Sequence, residues 1–432
     1  MAAPPHPTIP APIDRRSFLR RAVPLGVAPF FLPVRGQTPE PLEIALIGLH
    51  GHGSRLLREF LATGRVVVTW LCDVDRRTFE TVTPWMRERQ ARPFRTTHDL
   101  RQLLDDRRLQ AVVVATPDHW SAVAGLRTLQ AGKHLYLESP GSHNPRETEW
   151  LIQAARRSRT VVQCGLQRRS LPWVIEAVRR LQEGAVGMPL TAHAWHTDQR
   201  PGMGFGRLAP VPDWLEFGMW QGPAPDRPFR DNLVHGGWRW MWHWGTGELG
   251  ATGIHWLDLA RWALDLGCPS RVASAGMRAA YEDDQETADT QVTTFDFGER
   301  FVVWEHRSCL PRPVEGSPGG VRFQGTSGSL VLDDAGYRIE DREGRLVERV
   351  PGTVSLAPHV ANFLDAVTHR GRLPSAGIDD GQLSALWVHL GNLAQRLRTG
   401  IHLNAATRQP RPAPAVTALW SREYRSEWRP TL

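Results

Sequence analysis

Ile44-Ala45-Leu46-Ile47 runs without a break into Gly48-Leu49-His50-Gly51-His52-Gly53, and Leu56, Leu57, Phe60 and Leu61 follow at helical spacing. A short apolar run, a glycine turn and an amphipathic helix in direct succession make a parallel βα unit whose turn offers backbone N–H groups to a pyrophosphate. Gly48 and Gly53 take the first and third places of a G-x-G-x-x-G pattern. His50 stands in the second, where a bare backbone normally lets phosphate approach, so Gly51 beside it is expected to provide that approach.

The same texture continues from Leu42 onward. Apolar runs at 43–48, 66–73, 111–115, 134–138 and 161–165 alternate with amphipathic stretches at 54–62, 99–104, 122–130 and 147–156. Continuous apolar strands separated by helices predict an α/β fold with a parallel sheet covered on both faces, a Rossmann dinucleotide-binding domain over residues 42–166. The second strand ends in Cys72-Asp73-Val74-Asp75, and a carboxylate at Asp73 accepts from ribose hydroxyls and repels a 2′-phosphate. NAD is therefore the expected cofactor; Arg76 and Arg77 keep NADP open.

Residues 167–432 read differently. A helix near 174–181 precedes a tryptophan-rich irregular region, another helix over 255–264 and strand-like runs with tight turns between 270 and 350. Hairpin signals such as Gly298-Glu299-Arg300 predict a second, α+β domain with a large, mostly antiparallel open sheet. Two helices, near 359–369 and 380–398, come before a Pro/Arg-rich tail.

Charge says little about polyanionic partners. Five arginines against one aspartate put +4 of the formal +7 into residues 1–36, so the remainder is mildly basic and a nucleic-acid partner is not expected. Asp14-Arg15-Arg16-Ser17-Phe18-Leu19-Arg20 ahead of a short apolar stretch resembles a twin-arginine signal, the address for export after folding. That implies the twin-arginine machinery as a partner and a periplasmic or extracytoplasmic location, membrane-anchored if the segment is uncleaved. Cys72, Cys164, Cys268 and Cys309 are far apart and read as buried thiols; no metal site is expected. Lys133 is the only lysine in the chain and reads as a solvated turn residue.

Ala115-Thr116-Pro117-Asp118-His119-Trp120, Ala131-Gly132-Lys133-His134-Leu135-Tyr136-Leu137-Glu138-Ser139-Pro140 and Val162-Gln163-Cys164-Gly165-Leu166-Gln167-Arg168-Arg169 occur in an order that resembles the glucose-fructose oxidoreductase, inositol dehydrogenase and rhizopine-catabolism (Gfo/Idh/MocA) family, in its exported branch. The resemblance continues through Gly253-Ile254-His255-Trp256-Leu257-Asp258 and His389-Leu390-Gly391-Asn392. It implies that Ala115, Thr116 and His119 border the nicotinamide ribose and that Glu138 and Gln167 lie near the nicotinamide. It also implies a sugar or polyol substrate between the domains, hydride transfer at a carbinol carbon, and a homo-oligomer formed through the second sheet. Some exported relatives cleave glycosides through transient oxidation.

Members of this family usually have Glu-Lys-Pro where this chain has Glu138-Ser139-Pro140, and many carry Asp where it has Ala251. An unactivated serine hydroxyl is neither a base nor a cation at neutral pH, and Lys133 stands six residues of strand, ~20 Å, from Ser139. His255 is left as the candidate proton acceptor, with a hydrogen-bonded core histidine as its alternative. Asp258, one helical turn on, is expected either to orient His255 or to pair with an arginine. Trp238, Trp240, Trp242 and Trp244 suit a sugar platform or a packing seam, and His119, His196 and His243 are looser acid–base candidates. Two functional classes therefore stand: an active oxidoreductase, and a catalytically degenerate binding protein.

Overall fold

The computed structural model describes residues 40–309 and 312–431; the paired arginines Arg15 and Arg16 lie outside them. Six parallel strands form the first sheet: β1 (Leu42–Ile47), β2 (Val66–Cys72), β3 (Arg95–Thr97), β4 (Ala111–Val114), β5 (His134–Leu137) and β6 (Val162–Cys164), in the order β3-β2-β1-β4-β5-β6. Between them run α1 (His52–Ala62), α2 (Arg76–Arg89), α3 (Leu100–Leu104), α4 (Asp118–Gln130) and α5 (Pro145–Arg157). This is the doubly wound order, whose switch point lies between β1 and β4.

The parity of the strands divides the core. Ala45 and Ile47 of β1, with Val112 and Val114 of β4, pack toward α4 and α5, while Ile44 and Leu46, with Ala111 and Val113, pack toward α1. The central strands β1 and β4 therefore bury apolar side chains on both faces.

The second sheet has ten strands. After α6 (Pro172–Gln182) come β7 (Pro189–Thr197), a long irregular excursion containing α7 (Phe217–Gln221), a π-helical turn at Leu249–Gly253 and α8 (Ile254–Ala263). Then follow β8 (Arg271–Met277), β9 (Thr290–Asp296), β10 (Phe301–Arg307), β11 (Gly319–Gly325), β12 (Gly328–Asp333), β13 (Gly336–Asp341) and β14 (Leu346–Pro351). β7 and β10 are parallel and the neighbouring pairs are antiparallel, with β15 (Ile401–Asn404) and β16 (Gln409–Pro410) at one edge. In β9, Gln291, Thr293 and Phe295 are buried, whereas Val292 is 42% exposed, so one face is covered and the other is open.

Two late helices tie the sheets together. α9 (Ala357–Thr368) places Val360, Phe363 and Leu364 against the first sheet beside α1. α10 (Ile378–Leu397) is buried on nearly all sides from Ile378 to Ala394 and packs on both α5 and β8. A helix apolar all round is stable only between layers, and this one lies between the two sheets. Among the described residues no helix is long and apolar enough to cross a membrane.

Candidate functional site

A cleft of about 340 Å³ opens at the carboxyl ends of β1 and β4, lined among others by Gly48, Gly51, Asp73, Thr116, Glu138 and His255. The glycine turn follows from its neighbours. Gly48 has φ +87°, and a Cβ there would stand 2.4 Å from the Ala115 carbonyl oxygen; at Gly53 it would stand 2.0 Å from that of Gly48. Gly53 therefore lies outside the cleft and seats α1 against the turn. Gly51 has φ +54°, with nothing within 4 Å of where its Cβ would be.

Gly51 is also the N-terminal residue ahead of α1, and no side chain caps that helix. An uncapped helix start beside an open glycine surface fits a pyrophosphate, since it leaves amide N–H groups for a ligand. His50, at the second glycine place, stacks its ring on His235 at 4.2 Å and forms part of the wall.

Asp73 is more constrained than the sequence suggests. Its Oδ2 accepts from Leu49 N at 2.7 Å and its Oδ1 from Asp75 N at 2.9 Å, so it fixes the glycine turn to the end of β2 before any ribose arrives. Burial raises its pKa. It still lines the cleft, and a carboxylate has lone pairs for further donors. The arginines that kept NADP open are engaged: Arg77 donates to Asp75 at 2.7 Å and lies 3.4 Å above Trp214, and Arg76 donates to the Asp213 carbonyl.

At the other end of the cleft, Glu138 joins two histidines. His52 Nε2 lies 3.1 Å from Glu138 Oε1, Ser139 N donates to Oε2 at 3.1 Å, and Ser139 Oγ is 3.4 Å from His255 Nε2. Burial alone would raise Glu138 and lower His52; their mutual hydrogen bond and charge outweigh it, holding Glu138 below and His52 above the ordinary values. His255 is pushed down to about 3 by burial and then by Arg168, so its imidazole is neutral. Its Nδ1 and the Oε1 of Gln167 are buried polar atoms without a partner, at two residues that line the cleft.

Two expectations need correction, and a third resolves to one of its two alternatives. His119 lies outside the cleft: it is fully buried, bonded to the Trp220 carbonyl at 2.8 Å and packed between Trp220 and Trp244, because α4 turns that side chain inward. Asp258 takes the arginine alternative: Arg169 grips it through Nε and a terminal nitrogen at 2.7 and 2.9 Å, and Ser384 donates to it at 2.7 Å, leaving no hydrogen bond to His255. Lys133 is not solvated, being 7% exposed with its ammonium donating to the Asp106 carbonyl at 2.7 Å.

Of the alternating tryptophans, Trp238 walls the cleft, whereas Trp244 packs on Trp220 at 4.8 Å and Trp240 lies under Arg200. His196 is 3.7 Å from Glu248 and His243 bonds the Pro225 carbonyl at 2.8 Å, both away from the cleft. The cysteines are free, Cys309 only half-buried, and among the described residues no cluster of three or more His, Cys, Asp or Glu could hold a metal. Sequence reasoning passed over His52, Asp118, His235 and Arg239, which all line the cleft. His52 and Asp118 sat inside motifs already in hand; His235 and Arg239 come from the irregular excursion, which has no periodicity to follow.

Two family profiles match the chain. Residues 42–166 match an oxidoreductase family NAD-binding Rossmann fold, and residues 180–304 match the C-terminal alpha/beta domain of the same oxidoreductase family. The chain is 25% identical to a levoglucosan dehydrogenase of Pseudarthrobacter phenanthrenivorans over 43% of its own length and 42% of that protein. It is 28% identical to inositol 2-dehydrogenase 2 of Saccharopolyspora erythraea over 59% of its length and 57% of that one, so the matches span about half of each curated relative. Among solved structures, a levoglucosan dehydrogenase complex with NADH and levoglucosan aligns with TM-score 0.66 and 18% identity, over 84% of this chain and 99% of that one. GenD2 from gentamicin A biosynthesis, in complex with NAD, aligns with TM-score 0.64 and 18% identity over 89% and 100%.

Proposed function

Because the chain belongs to the Gfo/Idh/MocA family of NAD-binding oxidoreductases, we propose that it transfers hydride between NAD and a hydroxyl-bearing carbon of a sugar or polyol. Bound NAD supplies the hydride acceptor. The chain's own residues do the rest. The uncapped start of α1 and Gly51 receive the pyrophosphate, and Asp73 receives a ribose hydroxyl while holding the turn in place. Glu138, held ionised by His52, and Gln167 stand at the nicotinamide end.

The observation that carries the proposal is His255: a neutral imidazole lining the cleft, with one nitrogen beside Ser139 and the other buried without a partner. It takes the substrate hydroxyl proton as hydride leaves. Relatives named for levoglucosan and inositol support a polyhydroxylated substrate. The exposed sheet face, with Val292 and Phe301, supports assembly into a homo-oligomer, and the Arg15-Arg16 sequence supports export by the twin-arginine route to an extracytoplasmic location. The test is a panel of sugars and polyols added to the protein with NAD, read by reduced-nicotinamide absorbance. A rise with at least one substrate is expected; NAD binding without a rise for any of them removes the dehydrogenase reading.

A second reading rests on Ser139 and Asp258. With serine in the lysine place and Asp258 locked to Arg169, the site keeps the dinucleotide cradle but lacks the lysine, as a catalytically degenerate sugar- or nucleotide-binding protein would. The two separate on Ser139→Lys. An active enzyme turns over before the substitution, whereas a degenerate one binds ligand throughout and turns over only after it. Release of an aglycone from a glycoside without net NADH would instead identify cleavage through transient oxidation.

A further inference from the structure

A second cavity, of about 810 Å³, shares no lining residue with the NAD cleft. Its walls come from the turn 225–227, the stretch 242–246, the start of α5, the last turns of α10 and residues 418–423. Arg227, Arg396 and Arg422 converge on it. Among the described residues none of the three forms an ion pair: Arg422 donates to the His243 carbonyl at 3.0 Å and lies 3.4 Å from His143 Nδ1, and Arg396 lies 4.8 Å over Trp242.

Several other enclosed guanidiniums of this arginine-rich chain are matched, although among the described residues Arg239, which lines the NAD cleft, forms no ion pair either. Arg169 pairs with Asp258, Arg261 with Asp380 and Arg278 with Asp283. The carboxylates around the cavity do not perform that service. Asp226 pairs outward with Arg425 at 3.3 Å, Glu286 accepts from Trp242 N at 2.7 Å and faces Arg396, and Glu423 is exposed.

Behind Arg422, Glu147 accepts from Tyr424 Oη at 2.7 Å and from His143 N at 2.6 Å, and burial pushes it up to about 7, so it carries only part of a charge at neutral pH. Arg227 and Arg422 repel one another, and both depress the nearby His243. Glu147 offsets part of this for Arg422, and like charges held together with only part of a counter-charge are unfavourable until an anion arrives.

We propose that this cavity is an anion site in which Arg227 and Arg422 together hold a phosphate-type oxyanion, free or carried on a small molecule. The planar guanidinium fork suits two parallel N–H···O bonds to such a group. The proposal is independent of the hydride-transfer reading, since it uses none of those residues.

Calorimetric titration of the full chain with inorganic phosphate, and separately with a hexose phosphate, tests it at fixed ionic strength with chloride as the reference. Saturable single-site binding that chloride does not reproduce is expected, weakened at least about tenfold, ~1.4 kcal/mol, by Arg227→Gln and again by Arg422→Gln. Tighter binding of the hexose phosphate marks an oxyanion carried on a sugar; equal binding marks the free ion. Heats no different from chloride overturn the proposal, as does binding that survives both substitutions, which would place the anion on the glycine turn. Should Arg422→Gln fail to fold, exposed Arg227 decides alone.

Discussion

At the scale of single residues, the cleft is a set of histidines whose charge states are set by what touches them. His255 is held neutral by burial, which leaves a ring nitrogen free to accept a proton while weakening it as a base. Replacing it with Asn is expected to lower turnover by ~10²–10⁴-fold while leaving NAD affinity unchanged, measured by steady-state kinetics and NAD titration. Equal losses in NAD affinity would make it a cofactor contact instead. His52 has the opposite sign, because Glu138 holds its proton. A histidine raised above 6.5 stabilises the fold below that pH and loses the contribution as pH rises through its folded value. Its NMR titration midpoint should therefore lie above 6.5 in the wild type and fall in Glu138→Gln; an unchanged midpoint would remove the pair.

At the scale of elements, two contacts decide whether the cleft exists. The turn before α1 survives only because Gly53 lets the helix approach the Gly48 carbonyl oxygen. Gly53→Ala is expected to cost about 1–3 kcal/mol in urea unfolding, with NAD affinity falling as the helix start shifts. The Arg169–Asp258 pair fastens α8 to the segment after β6, and Ser384 adds α10. Arg169→Met would leave buried Asp258 with only Arg261, 3.9 Å away, and the Ser384 hydroxyl, and is expected to cost up to about 3–5 kcal/mol. Adding Asp258→Leu should recover most of that, and failure to recover would show that the pair positions α8 in a way its charge alone does not explain. The apolar strands of the first sheet were readable because continuous apolar runs have few other uses, whereas β7 lay in what read as an irregular region. α2 was not readable either, since Pro84 and a polar face interrupt its pattern, and β3 has only three residues.

At the scale of the whole molecule, buried histidines govern acid stability. His119, His255 and His389 are pushed down to about 3, and His243 and His359 to about 4, all by burial. The unfolded chain binds protons at these sites near pH 6.5 and the folded chain does not, so stability falls as pH drops from 6.5 toward 4. Asp118 and Glu147, raised to about 6 and about 7, and Asp73, also raised, oppose this over part of the interval, but His50, His134, His143 and His306 are lowered as well, so three raised carboxyls stand against nine lowered imidazoles. The thermal midpoint should thus decline steadily between pH 6.5 and 4. A midpoint that rises across it would mean those histidines are reached by water.

The sequence by itself determined the first sheet, the glycine turn, the NAD cofactor and the family, because each depends on residues adjacent in the chain or on a run of one polarity. It also marked Ser139 as the missing lysine and His255 as the survivor. Only the tertiary structure decided that Asp258 belongs to Arg169 and His119 to the tryptophan seam, and that Glu138 is held by His52. It alone showed the unpaired arginines around the second cavity. These partners stand 86 residues apart for His52 and Glu138 and 89 for Arg169 and Asp258. Electrostatic pairing falls off with distance in space and carries no periodicity along the chain, so nothing local could choose among the candidates.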